Sequence, residues 1–239
     1  MVKKWLCYNS RYQKRGVKPE SRGATVNFLK KYRHTWIIPV YGILYMMAFR
    51  YVEQRNVQPN IIHVKLDDYI PFCEYFIIPY LLWFFYVAAT VIYFSFINKN
   101  KKEYWQLICT LGIGMTLFIL VSLIYPNGQN LRPQLSGDSI FIQLVQSLYL
   151  VDTPTNILPS IHVFNSVACC IAIFRHKPFK KHKVFLGSVW ILTVLIILAT
   201  VFLKQHTVID VVAAFALNLV CYQLLYRTRA VHAKEIVQA

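Results

Sequence analysis

Acidic residues are scarce in this sequence. Its 239 residues include 10 Asp and Glu against 26 Lys and Arg, and charged residues of both signs make up only 15% of the chain. Hydrophobic residues make up 56% and are gathered into blocks about as long as a bilayer is thick. Low charge combined with long apolar blocks excludes an ordinary soluble domain and predicts an integral membrane protein.

Six apolar blocks predict an all-α bundle of six transmembrane helices, near residues 35–52, 76–97, 105–125, 160–175, 184–203 and 207–226. No internal repeat or low-complexity linker divides the chain. We predict a basic arm over residues 1–34, a membrane domain over 35–226 and a tail over 227–239. Because the basic arm lacks the pattern of a cleaved signal peptide, we expect the first span to act as the insertion signal.

The positions of the basic residues predict the orientation in the membrane. Of the 26, only five lie outside four clusters: ten in residues 1–35, three in 98–104, five in 175–183 and three after residue 226. By the positive-inside rule both termini are cytoplasmic, and loops 53–75, 126–159 and 203–207 face the outside. The charge thus reports topology, and we predict no nucleic-acid partner. The basic arm is compatible with contact to anionic lipid and equally with a solvated tail.

The six cysteines have no spacing typical of a metal or redox motif, so we predict neither a disulfide framework nor a zinc site. The outer loop begins with the turn-rich stretch "YPNGQNLRPQLSGD". It continues as "SIFIQLVQSLYLVD", in which apolar residues recur at helical spacing. This pattern predicts a short amphipathic helix, either lying in the membrane interface or packed against the bundle. We expect Asp67 and Asp68, in an earlier outer segment, to be solvated or helix-capping rather than catalytic.

Ionisable side chains near the bilayer centre cost about 2.5–3.5 kcal/mol on insertion scales, so each one requires a reason. Three segments carry such groups: "NLRPQ" with Arg132, "LPSIH" with Ser160 and His162, and "LKQHTVID" with Lys204, His206 and Asp210. The first segment follows the third span, the second opens the fourth, and the third joins the fifth to the sixth. The parity of the spans therefore brings all three segments to one membrane face.

The spacing of His206 and Asp210 indicates an oriented histidine. Four residues apart on a helix, the two side chains share a face, and a carboxylate that holds one imidazole nitrogen leaves the other free to attack or to take a proton. The alternative is a histidine at the head-group level and an Asp that stabilises the helix dipole.

The fourth span begins with features of an anion site. Ser160 is placed to cap it, and the free amides of a helix N-terminus attract anions. His162 could then protonate a leaving oxygen, although a satisfied interfacial histidine is the alternative. Arg132 could clamp phosphate oxygens. Lys204 adds a second cation or extends toward water.

Two histidines, an orienting Asp, two cations and a helix N-terminus together suit phosphoryl transfer. Because no carboxylate cluster for a divalent metal accompanies them, we predict a metal-independent route through a phosphohistidine, with no cofactor.

An Arg-Pro pair, then Pro-Ser-x-His, then His-x-x-x-Asp on a six-helix membrane chain resembles the type 2 phosphatidic acid phosphatase superfamily of lipid phosphatases and phosphotransferases. The resemblance extends from Tyr125 to Asp210. It implies that His206 is the nucleophile, Asp210 its orienting partner and His162 the general acid. It also implies that Arg132, Ser160 and the amides near Ser160 hold the phosphate.

The sequence departs from the family pattern at four positions. Tyr125 stands where the family usually has Lys, Ala199 and Thr200 where it has Ser-Arg, and Ile161 where it has Gly. These departures lean toward the branch that resembles inositol-phosphorylceramide and sphingomyelin synthases.

The leading hypothesis is a lipid phosphatase of the cell membrane that acts at the outer face on a lipid phosphate or diphosphate. Phosphatidic acid, phosphatidylglycerol phosphate and polyprenyl diphosphate are substrates of this type. The second hypothesis is a lipid phosphotransferase that passes the phospho-group to an alcohol. The third is a non-catalytic lipid-binding or transport protein, which the absence of paired repeats disfavours. The sequence indicates no oligomeric state.

Overall fold

A computed structural model describes residues 32–227 of the chain. Contacts divide the chain into two units, residues 1–37 and residues 38–239. In the first unit the described part contains a 3-10 turn, Arg33–Trp36. The predicted N-terminal arm and C-terminal tail, with Cys7, fall almost entirely outside the described residues.

Eight α-helices dominate the described part of the chain: α1 (Ile37–Glu53), α2 (Lys65–Tyr69), α3 (Ile77–Ile92), α4 (Lys101–Ile124), α5 (Ile140–Val151), α6 (Ile161–Arg175), α7 (Lys183–Phe202) and α8 (Val208–Tyr222). Short π-helical turns extend α3 and α8, and 3-10 turns precede α3 and α7. Two strands of two residues each, β1 (Asn60–Ile61) and β2 (Asn127–Gly128), pair in parallel. The helix predicted in the outer loop is α5.

Five helical segments of the described chain are long and apolar enough to cross a membrane: Arg33–Glu53, Glu74–Ile97, Lys101–Ile124, Lys183–Phe202 and Val208–Arg227. Only 11% to 39% of each apolar window is buried, so most of these side chains face outward, as they do toward lipid. The all-α class is therefore confirmed, and these five segments are suited to span a membrane. The fourth predicted span is α6, whose 15 residues are fewer than the roughly 20 that a full crossing needs. A sixth span stays a prediction.

Helix α6 lies at the centre of the bundle. It packs against α3, α4, α7 and α8, and nine of its 15 residues are buried. Its polar residues are therefore held by protein groups. The Ser166 hydroxyl donates to the His162 carbonyl at 2.7 Å, and the Asn218 amide of α8 donates to the Phe164 carbonyl at 3.1 Å. A short helix surrounded by other helices can carry polar side chains that a lipid-facing helix could not.

Hydroxyl residues cap the helices that begin near the predicted site. The side chains of Ser139, Ser160 and Thr207 accept hydrogen bonds from the first-turn amides of α5, α6 and α8. The cap predicted at Ser160 is confirmed. We call the end of the bundle where α3, α6 and α8 begin, and α4 and α7 end, the site end.

Two loops at the site end are joined by backbone and amide bonds. The β1–β2 pair links the loop after α1 to the loop after α4. The Asn127 side chain then accepts from the amides of Ile157 and Leu158 at 2.9 and 3.0 Å. These bonds fix the segment that leads into α6, so the position of Ser160 and His162 depends on the preceding loop.

A second polar cluster holds the opposite end of the bundle. His176, just after α6, is buried, and its Nδ1 lies 2.6 Å from Oε2 of Glu103 at the start of α4. Its Nε2 lies 2.9 Å from the Tyr93 hydroxyl in the turn that extends α3. The cluster ties α3, α4 and α6 together away from the predicted site.

We predict that Gly114→Ala destabilises the bundle by about 1–3 kcal/mol, because a Cβ on Gly114 of α4 would lie 2.0 Å from the Phe164 ring of α6. The matched control is Gly112→Ala on the same helix, where a Cβ meets nothing within 4 Å and the better helix former should be neutral or stabilising. Thermal unfolding in detergent measures both. Equal stability of the two variants would contradict this packing.

Candidate active site

The predicted residues of the fourth span and of the turn before α8 meet at the site end. The ring centroids of His162 and His206 are 5.7 Å apart, and Nδ1 of His206 lies 3.4 Å from Oδ2 of Asp210. The Ser160 amide donates to the Asp210 carbonyl at 3.3 Å. All four residues are buried, so the structure assembles two histidines and a carboxylate out of contact with bulk water.

The His206–Asp210 pair forms by a different route from the expected one. Helix α8 begins at Val208, so His206 precedes the helix and does not share a helical face with Asp210. Asp210 instead belongs to a capping box: its Oδ2 accepts from the Thr207 amide at 2.8 Å, which turns the carboxylate back toward His206. The His206 amide donates to the Thr200 carbonyl at 3.0 Å and fixes the turn.

The side chains of His206 and Asp210 lie close to each other but form no aligned hydrogen bond. Nδ1 of His206 and Oδ1 of Asp210 are buried and have no hydrogen-bond partner within residues 32–227. Buried polar atoms without partners are rare in folded proteins and often mark functional groups. Catalytic hydrogen bonds are commonly long in a ligand-free site and shorten when the substrate binds.

Aromatic rings of α3 hold His162. Its ring centroid lies 4.6 Å from that of Tyr80 and 4.3 Å from that of Trp83, which are three residues apart and therefore share a helical face. Nδ1 of His162 is buried and finds no partner in the described part of the chain. The imidazole is thus held by tilted ring contacts and retains an unused polar atom.

The N-terminus of α6 retains unused amide donors. The Ser160 hydroxyl accepts from the Val163 amide at 3.4 Å and the Ser160 carbonyl accepts from the Phe164 amide at 2.9 Å. Across the described residues, the amides of Ile161 and His162 have no acceptor. Free amides at the start of a helix are suited to bind an anion.

Arg132 borders the site and is partly engaged by protein groups. Its Nη1 donates to the Tyr149 carbonyl at 3.2 Å, and its Nη2 donates to the Asp152 carbonyl at 2.6 Å and to the Gln205 side chain. A guanidinium has five N–H donors, so these three bonds leave two free. One is on Nη1, and the other is on Nε, which is buried without a partner inside residues 32–227. Burial lowers the pKa of Arg132 and the Asp152 charge raises it, and the guanidinium stays cationic at neutral pH.

Lys204 is held against α2. Its Nζ donates to the Asp67 carbonyl at 2.7 Å and to the Ile70 carbonyl at 2.5 Å. Burial lowers the pKa of this amine, while the charges of Asp67 and Asp68 raise it. These bonds direct the ammonium group toward the C-terminal end of α2. In the sequence, Gln205 separates Lys204 from His206. Lys204 also lines a polar cavity of about 620 Å³ with Asp67, Asp68 and Asn130.

Sequence reasoning missed several residues that shape the site. Gln205 is buried next to His206, and its unpartnered Nε2 is a further donor that the structure describes. A polar residue directly before His206 was the available signal. Tyr80 and Trp83 gave no signal, because aromatic residues in an apolar span are ordinary. Asp67 matches the capping expectation: its carboxylate accepts from the amides of Val64 and Val208 at 2.9 and 2.8 Å.

The donors that converge here are imidazole, guanidinium and amide groups. Within residues 32–227 no group of three or more His, Cys, Asp or Glu side chains is placed to hold a metal ion. The arrangement provides a histidine beside a carboxylate, a second histidine, one cation and free amides. Those groups can attack, protonate and hold a phosphoryl group.

Comparison with protein-family models matches the PAP2 superfamily over residues 128–233. The matched region contains Arg132, Ser160, His162, His206 and Asp210. The match over this region supports membership of the PAP2 superfamily, the type 2 phosphatidic acid phosphatases, whose members are phosphatases or phosphotransferases. The comparisons with curated proteins and with solved structures gave no match.

We predict that Asp67→Ala destabilises the protein by about 1–3 kcal/mol, because it leaves the first amide of α8 and the N-cap amide of α2, that of Val64, without an acceptor. The matched control is Asp68→Ala. Asp68 is exposed and pairs with His63 at 2.8 Å, so its loss should cost less than about 1 kcal/mol. Thermal unfolding in detergent separates the two, and an equal effect would contradict the buried cap.

Proposed function

We propose that this protein is a membrane-embedded, metal-independent lipid phosphatase that works through a phosphohistidine. The observation that carries the proposal is the buried cluster of His162, His206 and Asp210, with Arg132 at its border, inside the region that matches the PAP2 superfamily. A structural role would not require two unpaired imidazole nitrogens beside a buried carboxylate.

In the proposed mechanism His206 attacks the phosphorus of a lipid phosphate. Asp210 receives the N–H of the same imidazole, so the other ring nitrogen carries the lone pair that forms the N–P bond. The P–O bond to the lipid breaks, and His162 donates a proton to that leaving oxygen. A water molecule then attacks the phosphohistidine, gives a proton to His162 and releases phosphate. Both histidines and Asp210 return to their starting states.

The phosphate oxygens need donors that do not move during the reaction. We assign this role to the free amides of Ile161 and His162, the Ser160 hydroxyl and the remaining N–H groups of Arg132. The bonds from Arg132 to the Tyr149 and Asp152 carbonyls fix the guanidinium in advance, which reduces the ordering needed when the substrate binds. Lys204 contributes positive charge at longer range, because its Nζ donates to the Asp67 and Ile70 carbonyls.

The distribution of basic residues supports an outer-face site with both termini in the cytoplasm. Substrate enters from the bilayer and presents its phosphate at the site end. Phosphatidic acid, phosphatidylglycerol phosphate and polyprenyl diphosphate share this chemistry. The partners are accordingly the lipid substrate and the bilayer.

Phosphotransfer to an alcohol is the second candidate, and a specific observation favours it. Tyr125 and Thr200 replace two of the family's usual phosphate-binding cations, and Arg132 is already engaged by three protein acceptors. A site with so little free positive charge suits a singly charged phosphodiester, the donor in phospholipid head-group transfer, better than a phosphomonoester dianion. Labelled phospholipid supplied with candidate alcohols tests this: a new phospholipid indicates transfer, and free phosphate alone excludes it.

We predict that His206→Ala lowers phosphate release from lipid phosphates by at least about 10³-fold, because the covalent route is lost. The measurement is phosphate release in detergent from a panel of lipid phosphates. The matched control is His63→Ala, a histidine at the same end whose ring pairs with Asp68 at 2.8 Å outside the site. A His206→Ala protein that works at the parent rate would show the assignment to be wrong.

We also predict that a chelator leaves the rate unchanged, since the proposed groups are imidazole, guanidinium and amide. The assay is the same panel with and without chelator. Activity that is lost with chelator and regained with a divalent ion would contradict the metal-independent mechanism.

A further inference from the structure

A buried tyrosine connects the general acid of the proposed mechanism to a carboxylate. Tyr80 of α3 is fully buried, and its hydroxyl donates to Oδ2 of Asp152, the residue that ends α5. The same Asp152 accepts from Arg132 through its backbone carbonyl, at 2.6 Å. Asp152 thus contacts both Tyr80, whose ring borders His162, and Arg132, the cation that borders the site.

His162 depends on Tyr80 for its position. Its ring contacts both Tyr80 and Trp83, with centroid separations of 4.6 and 4.3 Å. The two ring planes are tilted by 34° and 50° from the imidazole plane, so both aromatic surfaces border the ring. A cation beside aromatic rings is stabilised by their quadrupoles, and a carboxylate in a site that excludes water strengthens that preference.

We propose that Asp152, acting through Tyr80, is a positioning residue that holds His162 in place and favours its protonated form. The inference rests on the proposed function, in which His162 delivers a proton to the leaving oxygen. The Tyr80–Asp152 bond fixes the ring that contacts His162, and the carboxylate supplies a negative charge at the hydroxyl of that ring. No step of the mechanism uses Asp152 or Tyr80 directly.

Among the described charged groups near His162, Asp152 is the one suited to favour the protonated form of its imidazole. The ring centroid of His206 lies 5.7 Å from that of His162, and Arg132 is bonded to Gln205 beside His206. Positive charge at either group would disfavour a protonated His162. Asp210 is already committed to the Thr207 amide and faces His206. The site-end residues of α4 and α7, 113–124 and 190–202, include no titratable side chain. The carboxylate of Asp67 accepts from the Val208 amide, and that of Glu53 accepts from Thr153 and Asn156. Asp152 is the carboxylate bonded to a residue whose ring contacts His162.

The test is the pH dependence of kcat/KM for phosphate release by the full-length protein in detergent, using a short-chain phosphatidic acid as the probe. Because the protonated acid is needed, activity falls on the alkaline side as His162 loses its proton. Asp152→Asn removes the charge that favours the protonated form. The alkaline limb of the pH profile, where kcat/KM falls as pH rises, therefore moves to lower pH by about 1 unit. Asp138→Asn is the matched control, since it removes an exposed acidic group of the same loop; its limb should not move.

Tyr80→Phe provides a second variant that keeps the ring against His162 and removes the hydroxyl. We expect its limb to move in the same direction by a smaller amount, with kcat reduced about 10-fold because Asp152 is no longer anchored. A purely structural contact would lower stability or rate and leave the limb in place. An unmoved alkaline limb in either folded variant overturns the proposal.

Failure of the proposed function gives a distinct result. In that case His206→Ala retains phosphate release, or the parent releases none, and the role of Asp152 falls with it. The remaining outcome is a parent protein that needs His206 while the alkaline limb of its pH profile is unchanged in the Asp152 and Tyr80 variants. That result leaves the mechanism standing and refutes only this inference.

Discussion

The carboxylate of Asp210 serves two purposes in one conformation. It caps α8 by accepting from the Thr207 amide at 2.8 Å, and in doing so it comes within 3.4 Å of the His206 ring. A buried carboxylate is costly unless hydrogen bonds satisfy it, and the start of a helix offers both amides and a favourable dipole. The helix start thus stabilises a charged group that an apolar bundle would otherwise exclude.

Burial of α6 is the second condition on which the site depends. A full-length span that faced lipid could not begin with Ser160, His162, Asn165 and Ser166. Helix α6 can, because it is short and other helices surround it. Its capped N-terminus therefore opens into a region bordered by α3, α8 and the loop before it. The same arrangement removes water from the two histidines, which strengthens every charge interaction among them.

The sequence was sufficient to predict the all-α class, the α5 helix, the Ser160 cap and the convergence of Arg132, His162 and His206 at one end of the bundle. Those predictions rest on hydrophobic length, helical spacing and span parity, which are local or topological properties. The route by which Asp210 reaches His206 was not predictable, because a four-residue spacing fits both a helical face and a capping box. The attachment of Lys204 to α2 and the stacking of His162 on Tyr80 depend on tertiary packing that no single segment encodes.

The proposed function depends most on the transfer of the phosphoryl group to His206. The most direct measurement is to mix the full-length protein with a lipid phosphate labelled in its phosphate, quench in alkali and locate the label by peptide mapping. We expect an acid-labile label on the peptide that contains His206. The label should be absent from His206→Ala and should be lost by hydrolysis in the parent. Turnover of the lipid with no label at His206 at any quench time would contradict it.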